Sequence, residues 1–393
     1  MINAIKTIVL LLLIVFVAAS CEEDFSTVTE YNDKTVVYAF LEHKDPWNSS
    51  KDTNFIVVNK AFLGEANVYD MASVADSVNY PDYDQIDVSL QRIKTSDPNS
   101  EAIGDPIQLD YTVHYKDSGV FSREHNVVFY TTKALMYYQD VDANPAPGDE
   151  SYYYRLSVKK PNKEEVYAVT KMIRGIYEGK PMTRPDDKKE INMVSTLQNY
   201  KFNIEFKPNL DATSYALRIR LFYYEKKYND DNIYLDYVDY THSLYNVVSG
   251  ESSSSSSLSI GVPPSAFYIN IASKLKDTTG VQWRMYKTEG NTGFPETHAI
   301  LFTLGSYETY MHNQVTQPSN GIVQERPTYS NIVNGLGLFT SKWNFIRDGF
   351  YLSNPTIDSL SMGEESKYLK FKNSDLTVHD NYMMDYSSVI KRY

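Results

Sequence analysis

The chain has 393 residues and is acidic, with 50 Asp and Glu against 38 Lys and Arg for a formal charge of −12. That balance argues against nucleic acid as a partner, because phosphate binding needs clustered Lys and Arg to release counterions, and against a polybasic grip on anionic lipid. A single cysteine leaves no internal disulfide, so the fold must rest on burial and hydrogen bonds.

The first 20 residues carry one charged side chain, Lys6, then the apolar run from Ile8 to Val17 and the small residues Ala18, Ala19 and Ser20. A positive start, an apolar stretch of about a dozen residues and a small-residue cleavage site predict a secretory leader over 1–20, too short for the roughly 20 residues a bilayer span takes. Cys21 follows directly, and Ala18-Ala19-Ser20-Cys21 resembles the lipobox of bacterial lipoproteins, although that pattern usually has Leu where Ala18 stands. The resemblance implies cleavage before Cys21 and acylation of that residue, an anchor worth about 0.8 kcal/mol per buried CH₂. Glu22, Glu23 and Asp24 resemble the acidic export signal of Bacteroidota lipoproteins, which implies display on the outer face of the outer membrane, with the periplasmic face as the alternative. As plain residues they open an acidic, solvated tether over 21–32. Loss of Lys6 takes the formal charge to −13.

About 370 residues remain, more than one core usually serves, so two domains are expected. Thr35 to Leu41 and Asn54 to Phe62, rich in β-branched and aromatic residues, read as strands. Met71, Val74, Ala75 and Val78 recur at spacings of three and four and predict a short helix over 68–78. From Gln85 to Lys94 the pattern alternates, Ile86, Val88 and Leu90 against Asp87, Ser89 and Gln91, and strand character returns at 107–114 and 127–132. Tyr152 to Val158 and Val166 to Ile173, joined through Pro161, Asn162 and Lys163, predict a hairpin. Together these define an N-terminal β-sandwich over 33–174. The 34 tyrosines suit half-exposed strand faces and, as a second reading, binding surfaces.

Apolar content collapses from Arg174 to Glu190, which places a linker at 175–195. The second domain, 196–345, opens with the strand Tyr200 to Phe206, the turn Pro208 to Ser214 and the alternating run Tyr215 to Tyr224. This segment resembles the B-to-C strand pair of fibronectin type III and immunoglobulin-like modules, which implies a sandwich and is silent on ligand. Gly250, Glu251 and the serines 252–257 read as a low-complexity loop. A helix is expected over 263–276, with Pro263 and Pro264 in its first turn and Phe267, Ile271 and Leu275 packed on its own sheet. Strands at 281–286 and 299–304 and a short helix at 307–314 follow. The expected fold is mainly β, two β-sandwich-like (immunoglobulin/fibronectin III-like) domains, the second with an inserted helix, and 346–393 as a C-terminal extension.

The segment Tyr329-Ser-Asn-Ile-Val-Asn-Gly-Leu-Gly-Leu-Phe-Thr-Ser341 resembles the closing stretch of an uncharacterised family of large Bacteroidota surface lipoproteins. With the leader and Asn59-Lys-Ala-Phe-Leu-Gly-Glu65, the resemblance covers the chain to about Ser341. It implies an envelope role without an established activity.

Motifs for chemistry are sparse. Gly335 and Gly337 lack the flanking elements of a phosphate loop and read as a permissive turn. His43, His114, His125, His242, His298, His312 and His379 form no metal-spaced pair, and no Gly-x-Ser-x-Gly elbow surrounds any serine. Asp230, Asp231, Asp236 and Asp239 lack the calcium-loop pattern and read as a solvated acidic loop. No catalytic residue, metal ligand or cofactor is assigned. The expected function is a non-catalytic binding or accessory subunit, held at the membrane by its N-terminal lipid and docked on an outer-membrane β-barrel or other envelope protein. Glycan capture and a hydrolase of unrecognised type are the alternatives.

Overall fold

A computed structural model describes residues 34–43, 53–61, 68–119, 122–133, 135, 153–173, 189–206, 211–244, 258–288, 297–316, 329–377 and 389–393. Cys21, Glu22, Glu23, Asp24 and the rest of the tether, most of the 175–195 linker and the serine run lie outside them.

Two-residue periodicity writes the first strands. β1 (Lys34–His43) turns Val37, Ala39 and Leu41 inward, and β2 (Asn54–Ala61) turns Ile56 and Val58 the same way. The helix expected over 68–78 comes as two pieces, α1 (Val68–Ser73) and α2 (Ala75–Val78), because Val74 between them is extended at φ −86°, ψ 122°. A 3₁₀ turn at Tyr83–Gln85 precedes β3 (Asp87–Ile93). The strand expected over 107–114 is two strands, β4 (Ala102–Gln108) and β5 (Asp110–His114), which enter different sheets on either side of Leu109. β6 (Asn126–Thr131) follows. β7 (Tyr153–Lys159) and β8 (Val166–Lys171) form the expected hairpin, its turn carrying Asn162 at φ 57°.

The remaining strands are β9 (Glu190–Ile191), β10 (Phe202–Phe206), β11 (Ser214–Lys227), β12 (Ile233–Leu244), β13 (Leu258–Val262), β14 (Val281–Tyr286), β15 (His298–Gly305), β16 (Gly335–Leu352) and β17 (Val389–Lys391). Among the described residues three helices lie between them, α3 (Pro264–Lys274), α4 (Tyr307–Thr316) and α5 (Asn354–Met362). α3 starts with Pro264 in its first turn and buries Phe267 and Ile271. α5, in the stretch read as an extension, is capped by Ser353, whose Oγ accepts the Thr356 N–H.

Among the described residues the architecture is mainly β and built from several sheets. An eleven-stranded sheet runs β17-β12-β11-β15-β16-β1-β2-β6-β5, with β14 pairing β11 and β9 pairing β16; β4-β3-β7-β8 form a second sheet and β10-β13 a third. Among the described residues two large apolar cores lie against the large sheet, and a smaller cluster joins Phe222, Tyr224, Leu235 and Met285 of β11, β12 and β14. One large core joins Val37, Leu41, Ile56, Phe129 and Phe339 to Val88, Leu90, Leu156 and Val158 of the four-stranded sheet. The other joins Leu217, Ile219, Phe302 and Trp343 to Phe202, Ile204, Ile260 and Val262 of β10 and β13, to Phe267 and Ile271 of α3, and to Ile357 and Leu360 of α5.

β16 ties these halves together. It pairs in parallel with β1, Val37 opposite Gly337, and antiparallel with β15, Leu304 opposite Trp343. Gly335 and Gly337 therefore sit in a strand rather than a turn. Gly337 has φ +117°, and a Cβ there would stand 2.0 Å from the Val37 carbonyl oxygen, so close strand approach rather than chain reversal demands the glycine. The acidic loop is corrected in the same way. Asp236 and Asp239 belong to β12, paired with Tyr223 and Arg220 of β11.

Candidate binding surface

The face of the large sheet turned away from the four-stranded sheet carries aromatic and aliphatic side chains at alternate positions. Tyr38 is 46% exposed, Phe40 42%, Phe55 52% and Leu336 43%. Strand register assembles them: Leu336 lies beside Val36, Tyr38 beside Val57, Val57 beside Val128, and Phe55 beside Tyr130. Alternation is the local cause, since inward Val37, Ala39, Leu41, Ile56 and Val58 force their neighbours outward. α4 packs against the neighbouring part of β16, where Leu338 and Thr340 are buried. There Thr309 and Ser306 each meet the Thr340 hydroxyl at 2.7 Å. Charge fringes the exposed strip where Lys342 Nζ pairs with Glu42 at 3.4 Å. Single exposed apolar residues are ordinary, but a contiguous patch with a polar border is the usual anatomy of an interaction surface.

The candidate chemistry of the sequence disperses. Asp239 accepts a bidentate pair from Arg220, at 2.8 and 2.9 Å, and the Arg220 guanidinium lies 3.7 Å from the Tyr237 ring centre. Asp230 closes its own turn by accepting from the Asn232 N–H and the Tyr234 hydroxyl. Both carboxylates are thus engaged with protein donors. His114 and His125 are exposed, and His242 bonds the Tyr240 hydroxyl at 3.3 Å, with burial lowering its pKa. His379 lies outside the described residues. Among the described residues no group of three His, Cys, Asp or Glu is placed to hold a metal ion, and no helix is long and apolar enough to cross a membrane.

Two buried polar groups escaped sequence reasoning. Glu225 accepts from Arg284 Nε at 2.9 Å and from Arg392 Nη1 at 2.8 Å, while Arg284 also donates to the carbonyls of Leu275, Asp277 and Leu369. Burial pushes the Glu225 carboxyl up, yet the hydrogen bonds from Arg392 and Arg284 outweigh it and hold the group below the ordinary carboxylate range. Donors and acceptors are so fully used that the cluster joins β11, β14 and the chain end rather than offering a reactive group. His298 is the second, with only 2% of its surface exposed. Its Nδ1 accepts the Phe222 N–H at 3.0 Å, and burial together with the Lys287 charge lowers its pKa to about 3. The sequence signal for both was a polar residue at an inward strand position.

No protein-family model matches this chain, and no curated protein matches it either.

Proposed function

We propose that this chain is a lipid-anchored envelope protein, held in the outer membrane through Cys21 and displayed at the cell surface, that acts as a non-catalytic binding or accessory subunit docked on an outer-membrane β-barrel or other envelope protein. The observation that carries the binding role is the exposed strip of Tyr38, Phe40, Phe55 and Leu336, brought together on adjacent strands of the large sheet. The lipobox-like Ala18 to Cys21 and the acidic Glu22, Glu23 and Asp24 support the anchor and its export. From Cys21 to the start of β1 the chain reaches at most about 45 Å, which keeps the strip within range of a membrane-embedded partner. In this reading the two cores belong to two immunoglobulin/fibronectin III-like modules joined by a shared sheet.

The test is purification of the acylated protein from its native envelope in mild detergent. A stoichiometric β-barrel or other envelope protein is expected to co-purify and to be lost in the Tyr38→Ser/Phe55→Ser double variant. Recovery of free monomer alone overturns the subunit role. A second reading, glycan capture, draws on the same aromatic rings, which are suited to stacking on sugar faces. It requires saturable polysaccharide binding that the same double variant removes.

A further inference from the structure

The large sheet ends in β5, which pairs with β6 along one edge; among the described residues no strand lies along the other. Such an edge is a template for another chain, and folded proteins usually block it. The other ends of the two larger sheets are blocked. β4 carries Pro106, Gly104 at φ +69° and a register shift against β3. β8 is bridged by Val333 through Tyr167. β12 is covered by β17 from Ile233 to Leu235, and beyond it Lys274 of α3 donates to the Asp239 carbonyl. β5, Asp110-Tyr-Thr-Val-His114, has no proline, glycine or lysine. We infer that this edge is an interface between two copies of the chain, joined antiparallel about Thr112 into one continuous sheet.

The strand is complementary to its own reverse. A two-fold axis at Thr112 sets Thr112 against itself, Tyr111 against Val113 and Asp110 against His114, so every residue of the strand meets a partner. Asp110 and His114 are both exposed, and a carboxylate opposite an imidazole N–H is a favourable cross-strand pair. Tyr111 is 44% exposed although its ring edge meets Tyr83 at 5.2 Å, and Val113 is only partly buried against the same core. Across the join each covers the open side of the other. An axis one residue to either side separates Asp110 from His114 and leaves one end of the strand unmatched. Charge complementarity therefore fixes both the register and the occupant, a second copy presenting the same five residues in reverse.

Register also sets which faces join. Asp110 lies beside Tyr130 and Thr112 beside Val128, while Tyr130 lies beside Phe55. Asp110, Thr112 and His114 thus stand on the face that carries the exposed Tyr38 and Phe55. A two-fold perpendicular to the sheet keeps that face on the same side in both copies, so the two exposed strips become parts of one surface. The pairing itself is independent of whatever docks on that surface.

The test is sedimentation velocity of the full mature chain under reducing conditions, which exclude a Cys21 disulfide. A concentration-dependent dimer is expected. Thr112→Lys and Thr112→Glu each put like charges face to face on the axis and should weaken the dimer at least tenfold. An equimolar mixture of the two variants should recover it as a heterodimer, because Lys then meets Glu. Asp105→Lys, a new lysine on the β4 edge, should leave it unaltered. If either Thr112 variant fails to fold, oxidation of Thr112→Cys decides the same point, through a link between the two introduced cysteines read by peptide mass spectrometry. A monomer at every concentration, a dimer indifferent to Thr112→Lys, a mixture no tighter than its components, or introduced cysteines that do not link overturns the assignment.

Discussion

Burial and the neighbouring Lys287 charge keep His298 neutral by holding its pKa at about 3, whereas in the unfolded chain an imidazole titrates near 6.5. Between those values the unfolded chain binds a proton that the folded chain refuses. The stability tied to His298 is therefore complete above pH 6.5 and falls by about 1.4 kcal/mol per unit as pH drops toward 3. Glu225 behaves differently. Its carboxyl is lowered in the folded chain, so its contribution is complete above the ordinary glutamate value and is lost only as pH falls through the lowered one. Comparison between pH 7 and 5 sets the carboxylate aside and leaves the two histidines with lowered pKa, His298 and the less buried His242. His298→Phe should cost about 1–3 kcal/mol at pH 7, because the Phe222 N–H loses its acceptor, and should reduce the dependence over that interval to the part His242 contributes. Urea midpoints across the range decide it, and parallel slopes in the two proteins would show that His298 is not the titrating group.

At the level of elements, the parallel pairing of β1 with β16 hangs on Gly337. Any side chain there meets the Val37 backbone at 2.0 Å and must also accept φ +117°. Gly104 in β4 has φ +69° but nothing within 4 Å of an added Cβ, so it isolates the conformational part of the cost. Gly104→Ala should cost about 1–2 kcal/mol, the left-handed penalty alone. Gly337→Ala should cost clearly more than about 3 kcal/mol, as strain and a lost ladder combine. Equal urea midpoints for the two variants would refute the steric account. Strands such as β3, β7 and β11 are legible in the sequence because alternate burial is written directly into residue type. β12 is not, since Asp236 and Asp239 interrupt its apolar pattern and only β11, through Arg220, makes a strand residue of Asp239. The pairing of Thr35 with Gly335 leaves no local trace at all. For the same reason the sequence shows that Tyr38 and Phe40 share a face but not that the face is outward. The place of β5 at the end of the sheet, set by strand order, has no motif of its own.

Across the whole molecule, the two cores share one strand. Phe339 is sealed in the core facing the four-stranded sheet, and Trp343, four residues along the same face of β16, is buried in the core facing β10, β13 and the helices. Between them Ser341 is fully buried and donates to the Lys171 carbonyl at the end of β8, so no solvated hinge separates the two sets of contacts along this strand. A loss in one core should therefore be felt in the other, because β16 cannot leave β1 without loosening its ladder to β15. Phe339→Ala should cost about 3–5 kcal/mol through the cavity it leaves. Hydrogen exchange followed through urea should then show the amides of β3 and β7 and those of β11 and β15 losing protection together, at a lower concentration than in the unaltered chain. If the β11 and β15 amides kept their original midpoint while β3 and β7 opened early, β16 would be a covalent connection and nothing more, and the two halves would have to be treated as independently folding bodies.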